Sequence, residues 1–275
     1  MGTTEDLFDL RGRVAVITGG GGVLCSTMSK ALAARGVKVA VLDIVEEAAK
    51  RVADEITAAG GEAIAVKCDV LNRASLEAAR DRVVKAFGRV DILINGAGGN
   101  KKEATTSPET PFFDLPPDAI RWVFDLNIVG TVLPSQVFGK LLADQGEGSI
   151  VNISSMAAYR PLTKVVAYSA AKAGVSNFTA WLAVHISQNY SKKIRVNAIA
   201  PGFLLTEQNR YLLTDEKTGA LTERGRLVVN HTPMDRFGDP EELVGAIVWL
   251  VSPAASFVHG AVIPIDGGFN AYSGV

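Results

Sequence analysis

Three residues of this chain could together move a proton: Ser155, Tyr168 and Lys172. Tyr168 and Lys172, in the stretch YSAAK, stand four residues apart, which puts both on one face of a helix. A phenol of ordinary pKa, about 10, is a poor base at neutral pH, and a neighbouring ammonium favours its ionised form. Lys172 could supply that charge. Tyr168 would then accept the proton of an alcohol during oxidation, or give one to a carbonyl oxygen during reduction. Ser155, 13 residues before the tyrosine, would hydrogen-bond the same oxygen as charge develops on it. A tyrosine and a lysine at this spacing also arise by accident, so the fold must bring Ser155 to the same edge.

A second chemistry lies near the N-terminus. In TGGGGVLCS, residues 18 to 26, four glycines separate an apolar run from a helical pattern. Free backbone N–H groups and the helix dipole make such a turn an anion site, and glycine lets a pyrophosphate come close to the backbone. Thr18, Gly19, Gly22, Val23 and Leu24 are the expected contacts, although Val23 and Cys25 stand where a nucleotide-binding pattern has glycine. If the Cys25 thiol faces the helix N-terminus, its pKa falls and it becomes sensitive to oxidation. Asp43 follows Gly19 by 24 residues, at the end of the next apolar run, where a carboxylate accepts hydrogen bonds from an adenosine ribose and repels a 2′-phosphate. NAD(H) is therefore expected over NADP(H). Asp69 in CDV and the small residues of NGAGG, 95 to 99, close two further runs and offer contacts to the rest of the nucleotide.

The elements that must position these groups are visible as seven short apolar runs, at 13–18, 37–43, 62–70, 90–96, 149–155, 194–202 and 261–268. Each is nearly continuous, as in strands buried on both faces. Helical patterns ending in glycine separate them. The expected fold is α/β: one doubly wound, seven-stranded parallel sheet in a single domain over 1–275, with helices on both faces and the ligand at the C-terminal edge of the strands. Two stretches break the alternation, 100–118 and 204–226, both leaving strand C-termini. They are expected to wall a substrate pocket.

Composition narrows the classes of function. At 48% hydrophobic and 21% charged residues, with a formal net charge of -1, the chain can bury a full core and offers no basic face to nucleic acid. Two cysteines cannot make a disulfide framework, and the first twelve residues lack the apolar run of a signal peptide, so a cytoplasmic protein is expected. No uninterrupted apolar stretch of bilayer-spanning length is apparent, and His185, His231 and His259 have no ligands at metal-binding spacing.

These motifs together resemble the short-chain dehydrogenase/reductase family, over essentially the whole chain. The matching stretches are TGG at 18, DV at 69, NGAG at 95, Asn127 in FDLN, NISS ending at Ser155, YSAAK at 168, PGFLLT at 201 and DGG at 266. The resemblance implies a catalytic set of Asn127, Ser155, Tyr168 and Lys172, with Asn127 holding a water in a relay to Lys172, which also binds the nicotinamide ribose. It implies that Asn95, Gly96 and Ala97 flank the cofactor, that Asp69 and Val70 meet the adenine, and that Pro201, Gly202 and Thr206 orient the carboxamide. Longer stretches, among them PLTKVVAYSAAKAGVSNFTAWLA, TPMDRFG and DGGFNAYSGV, are similar to the family's D-mannonate oxidoreductase (fructuronate reductase) branch, related to gluconate 5-dehydrogenases. That branch implies a small-molecule substrate, a sugar acid interconverted between ketone and secondary alcohol. It also expects TGGxGVLG at the glycine turn, which leaves only Cys25 anomalous. Asn100, Met156, Gln208, Asn209 and Arg210 are the candidates to read the substrate, with Arg210 able to grip a carboxylate through two hydrogen bonds. A gluconate 5-dehydrogenase, a 3-oxoacyl reductase, a steroid-type alcohol dehydrogenase and, in another class, a non-catalytic dinucleotide sensor are the alternatives. The family also implies a homo-oligomer, dimer or tetramer.

Overall fold

A computed structural model describes residues 7–206, 210–215 and 218–274, with backbone only at 211 and 212. Its centre is a seven-stranded parallel sheet in the order β3-β2-β1-β4-β5-β6-β7. The strands are β1 Val14–Thr18, β2 Lys38–Asp43, β3 Ala63–Lys67, β4 Ile92–Asn95, β5 Gly148–Ile153, β6 Ile194–Pro201 and β7 Val262–Ile265. The order reverses direction between β1 and β4, and Thr18 pairs with Asn95 there. Both strand ends therefore open on one crevice, the place where such sheets take ligands. Every residue of β1 and of β4 is buried, the reason those runs show no alternation.

Each crossover carries a helix. Those that matter here are α1 Val23–Ala33, α2 Glu46–Ala58, α3 Arg73–Phe87, α4 Pro117–Phe124, α5 Gly130–Gln145 and α6 Val166–Asn189. After β6 come α7 Arg210–Leu213 and α8 Glu223–Asn230, both within or just beyond the 204–226 excursion, and then α9 Val244–Val251. One apolar layer, with Met28, Leu32, Val52 and Ile247, packs on one face of the sheet. The other face is covered by Leu76, Val83, Phe138 and Leu142.

Three boundaries differ from the sequence pattern. β3 ends at Lys67 and β5 at Ile153, so Asp69 and Ser155 each lie two residues past a strand rather than on its end. β7 stops at Ile265, before Asp266 and the two left-handed glycines Gly267 and Gly268. After β3 the apolar Cys68 and Val70 continue the pattern, while after β5 and β7 small or polar residues follow at once, and periodicity alone does not register where the ladder stops. The joined run Pro117–Gln145 is also long and apolar enough, by length and composition, to cross a membrane, although the sequence showed no uninterrupted stretch of that kind. Half of its most apolar 18-residue window is buried against the protein, as in a core helix.

Between α4 and α5 the backbone winds into one π turn, Asp125–Val129. Such turns are rare and concentrate at functional sites. Asn127 sits in the middle of it, fully buried.

Candidate active site

The glycine turn is shaped by what lies behind it. Gly19 is left-handed, at φ +62°, and a Cβ on it would fall 2.8 Å from the Ala97 backbone. Gly20 and Gly21 are held as tightly by Val41 and Ala48. Gly22 caps α1 with no side-chain hydrogen bond, and the first turn of that helix carries no acidic residue. The leading N–H groups of an eleven-residue helix thus point, uncapped, over a bare backbone, a donor set that fits a pyrophosphate. Asp43 closes the far side: one carboxylate oxygen accepts the Gly21 N–H at 2.9 Å and the other the Val45 N–H at 2.9 Å. A carboxylate oxygen retains a lone pair after one such bond, so Asp43 can still accept ribose hydroxyls. Asp43→Asn is expected to lower the ratio of NADH to NADPH affinity at least tenfold, measured by fluorescence titration with each nucleotide; an unchanged ratio would remove Asp43 from the discrimination.

Thr18 and Asn95 lie deeper than the motif reading placed them. Thr18 is fully buried, and its hydroxyl accepts the Gly96 and Ala97 N–H groups at 3.1 and 3.3 Å. Its part is to fix the β4 turn rather than to touch a nucleotide. The Asn95 amide donates inward to Ser135 Oγ at 2.9 Å and to Asn152 Oδ1 at 2.8 Å, and Asn152 passes the chain on to Thr179. The buried Nδ2 finds both partners on α5 and β5, whereas Asn95 Oδ1 has none among the described residues. Asp69 takes the Leu71 N–H at 2.9 Å, while Val70 is buried against the face of Gly130. Gly202 packs so closely on Asp266 that a Cβ would lie 2.6 Å from its Cα, and Pro201 closes β6 beside it. Thr206 accepts the Arg210 N–H at 2.9 Å.

Cys25 has a plain explanation in the structure. A Cβ built on Gly96 would fall on the Cys25 sulfur, so the thiol fills the space that the missing side chain leaves. It is buried, and burial pushes its pKa up to about 12. The expected low-pKa, oxidation-sensitive thiol is therefore overturned: desolvation outweighs the helix N-terminus. Cys25→Gly should leave NADH affinity within about tenfold, or ~1.4 kcal/mol. Thiol labelling of the native protein should run no faster than global unfolding, and fast labelling that NADH blocks would restore the reactive thiol.

At the other end of the crevice the proton-moving residues come together. Lys172, one turn after Tyr168 on α6, is buried, donates to the Ile153 carbonyl at 2.8 Å and lies 5.6 Å from the centroid of the Tyr168 ring. Burial lowers its pKa to about 8. Burial also raises the Tyr168 phenol above its usual range, with the Ser155 hydroxyl opposing the shift. The expectation that Lys172 would lower that pKa is thus reversed in direction here, because burial of the phenol sets the shift and exceeds the opposing hydrogen bond of Ser155. The phenol stays protonated at neutral pH, a proton donor beside a hydroxyl that can bind the same oxygen.

Asn127 reaches this group from the π turn. Its Oδ1 accepts the Gly99 N–H at 3.2 Å, and its Nδ2 donates to the Gly99 and Val123 carbonyls, each at 2.7 Å. These bonds occupy the amide, so it pins the loop after β4 in place. Gly98 is the common ground: a Cβ there would be 2.8 Å from Asn127 Oδ1 and 3.1 Å from Lys172 Nζ. Sequence reading missed Gly98, whose only signal is its place in NGAG.

The substrate candidates fare unevenly. Asn100 is exposed and donates to Thr105 Oγ1 at 2.8 Å. Arg210 is exposed at the start of α7. Met156 is 1% exposed, so its side chain does not line an open cleft, a correction that follows from the short turn after Ser155 folding inward. Gln208 and Asn209 lie outside the described residues.

A family model of the short-chain dehydrogenase type, described as "Enoyl-(Acyl carrier protein) reductase", matches residues 24–270. The chain belongs to the short-chain dehydrogenase/reductase family. It is thus an oxidoreductase of the kind that acts on CH–OH groups. UxuB, an uncharacterized oxidoreductase of Bacillus subtilis, is 51% identical over 97% of this chain and 98% of its own. A crystal structure of a candidate D-mannonate oxidoreductase from Haemophilus influenzae, with NAD bound, is 48% identical with a TM-score of 0.91, over 97% of this chain and 98% of that one. A gluconate 5-dehydrogenase from Burkholderia cenocepacia, in complex with NADP and tartrate, is 30% identical with a TM-score of 0.87, over 98% of this chain and 100% of that one.

Proposed function

We propose that the protein is an NAD(H)-dependent oxidoreductase that interconverts a ketone and a secondary alcohol on a sugar acid, with D-fructuronate and D-mannonate as the pair. The observation that carries this reading is the polar and cationic character of the two segments that leave the C-terminal edge of the sheet: Asn100, Lys101 and Lys102 follow β4, and Arg210 opens α7 after β6. A steroid or acyl chain would call for apolar residues there. The likeness to the NAD-bound Haemophilus protein supports the same substrate class and nucleotide.

In this reading Tyr168 donates its phenolic proton to the carbonyl oxygen during reduction, and takes the alcohol proton during oxidation. Ser155 hydrogen-bonds that oxygen, and Lys172 holds positive charge beside the phenol as it loses its proton. Asn127 keeps the loop after β4 fixed against Lys172. A bound nicotinamide supplies the hydride or accepts it. The turn at Gly19–Gly22 with Val23 and Leu24 holds the pyrophosphate, Asp43 the ribose, and the backbone at Gly202 the carboxamide.

The enzyme is proposed to be cytoplasmic and homo-oligomeric. An apolar groove between α5 and α6, with Phe178, Trp181 and Tyr190 along it, suits a contact between subunits. The deciding experiment follows NADH oxidation with fructuronate, tagaturonate, 5-ketogluconate and acetoacetyl thioesters. Turnover should be fastest with fructuronate; a response confined to the thioesters would sink the sugar-acid assignment.

A further inference from the structure

We infer that Lys164 and Arg224 form the carboxylate-recognition subsite of this enzyme, in a cleft between the 160–164 turn and α8. The inference rests on the sugar-acid reading and adds the residues that would enforce it. The cleft has a volume of about 480 Å³, within the range of small-molecule sites. Arg160, Lys164 and Arg224 line it, opposed by the single carboxylate of Glu223. Three cations against one anion, on walls that include Phe203 and Phe269, concentrate a positive potential in a confined space.

The two cations named are the ones available. Arg160 Nη2 donates to the Asn270 carbonyl at 3.0 Å, which ties that guanidinium to the C-terminal segment. Lys164 and Arg224 form no ion pair with any described residue, and both side chains are exposed. The remaining polar groups suit hydroxyls. His231 Nδ1 sits 2.8 Å from the Leu227 carbonyl and so carries the hydrogen, leaving Nε2 to accept one. Glu223 can accept another. A cleft that pairs free cations with hydroxyl acceptors matches a polyhydroxy carboxylate better than a bare anion or a fatty chain.

The cleft also belongs to the reacting edge by its connections. Its first wall, 160–164, is the chain between Ser155 and Tyr168, and the Leu162 N–H donates to Ser169 Oγ at 3.3 Å, one residue past the phenol. The Lys164 carbonyl accepts the Thr106 N–H at 2.9 Å from the loop after β4. Phe203 directly follows Gly202 at the exit of β6. Lys164 is left-handed, at φ +74°, one of two such non-glycine residues among those described. A long side chain held in that conformation is uncommon, and such outliers cluster where ligands are gripped.

The test uses Lys164→Asn, since asparagine tolerates the left-handed backbone, together with Arg224→Gln on the exposed face of α8. Steady-state kinetics are measured with D-fructuronate and with D-fructose, its neutral counterpart bearing CH₂OH in place of the carboxylate. Each variant should raise KM for fructuronate at least tenfold with kcat within threefold, and the pair together at least fiftyfold. KM for fructose and NADH affinity should not move, and Lys164→Arg should keep the wild-type KM. A double variant with wild-type KM for the acid, in an enzyme that prefers the acid, overturns the subsite alone. A wild-type enzyme that reduces fructose as well as fructuronate overturns the sugar-acid reading, and the subsite with it.

Discussion

Lys172→Met is expected to give a protein that melts higher and turns over roughly 10³-fold more slowly. The two effects have one cause. The amine is buried, and its pKa is pushed down to about 8. In the unfolded chain it returns to about 10.4, so between those values the unfolded state binds more protons and stability rises with pH. At neutral pH the folded state carries the whole penalty, a little over two pKa units or about 3 kcal/mol. Methionine removes that penalty at similar volume, while loss of the bond to the Ile153 carbonyl gives back about 1 kcal/mol. The remaining ~2 kcal/mol corresponds to a Tm increase of about 5 °C in a protein of this size. The gap between variant and wild type should shrink on passing from pH 7 to pH 10, as the lysine becomes neutral in the folded protein. Wild-type turnover in the reducing direction should likewise fall as pH rises through about 8. Scanning calorimetry at three pH values checks the first statement; a variant that melts lower at pH 7 would show that the lysine stabilises the fold. The protein thus gives up stability to keep an ammonium beside the phenol, the usual direction of trade at a reactive site.

The sheet and the outline of the site were legible in the sequence because both are written in local pattern. Apolar runs identify strands buried on two faces, and the glycine turn, Asp43 and the YSAAK pair mark three places on one edge. What was not legible depends on residues far apart in the chain. Asn95 reads as a cofactor contact until Ser135 and Asn152 are seen to claim its Nδ2. Cys25 reads as damage to a motif until Gly96, 71 residues on, is found to leave room for it. The direction of the Tyr168 shift was missed for a related reason: spacing along a helix shows that a charge is near, but desolvation is set by everything packed around it. Met156 faced inward and Lys164 took a left-handed backbone with no signal in residue type.

Gly98→Ala should lower kcat at least a hundredfold, whereas Gly99→Ala, one residue on, should stay within threefold of wild type. Neither glycine is left-handed, so alanine meets no backbone strain at either position. They differ in what the added methyl touches. At Gly99 the nearest atom is Leu126 Cδ2 at 4.0 Å, an ordinary contact. At Gly98 the methyl arrives 2.8 Å from Asn127 Oδ1, where something must shift, and 3.1 Å from Lys172 Nζ, which must give by a few tenths of an ångström. Asn127 cannot yield, because three hydrogen bonds hold its amide to Gly99 and Val123. Lys172 is fixed at its end by one bond to Ile153 and has a flexible stem, so the ammonium moves. Its displacement takes charge away from the phenol at the moment the phenol must lose a proton, an effect on kcat rather than on the folded state. A cycle with Lys172→Met isolates the cause. In that background the methyl has no ammonium to displace and only the Asn127 contact remains, so Gly98→Ala should bring a further loss of less than tenfold. A second hundredfold loss there would mean that the methyl acts through Asn127 or the nucleotide crevice, and that the closeness of Gly98 to Lys172 has no part in the chemistry.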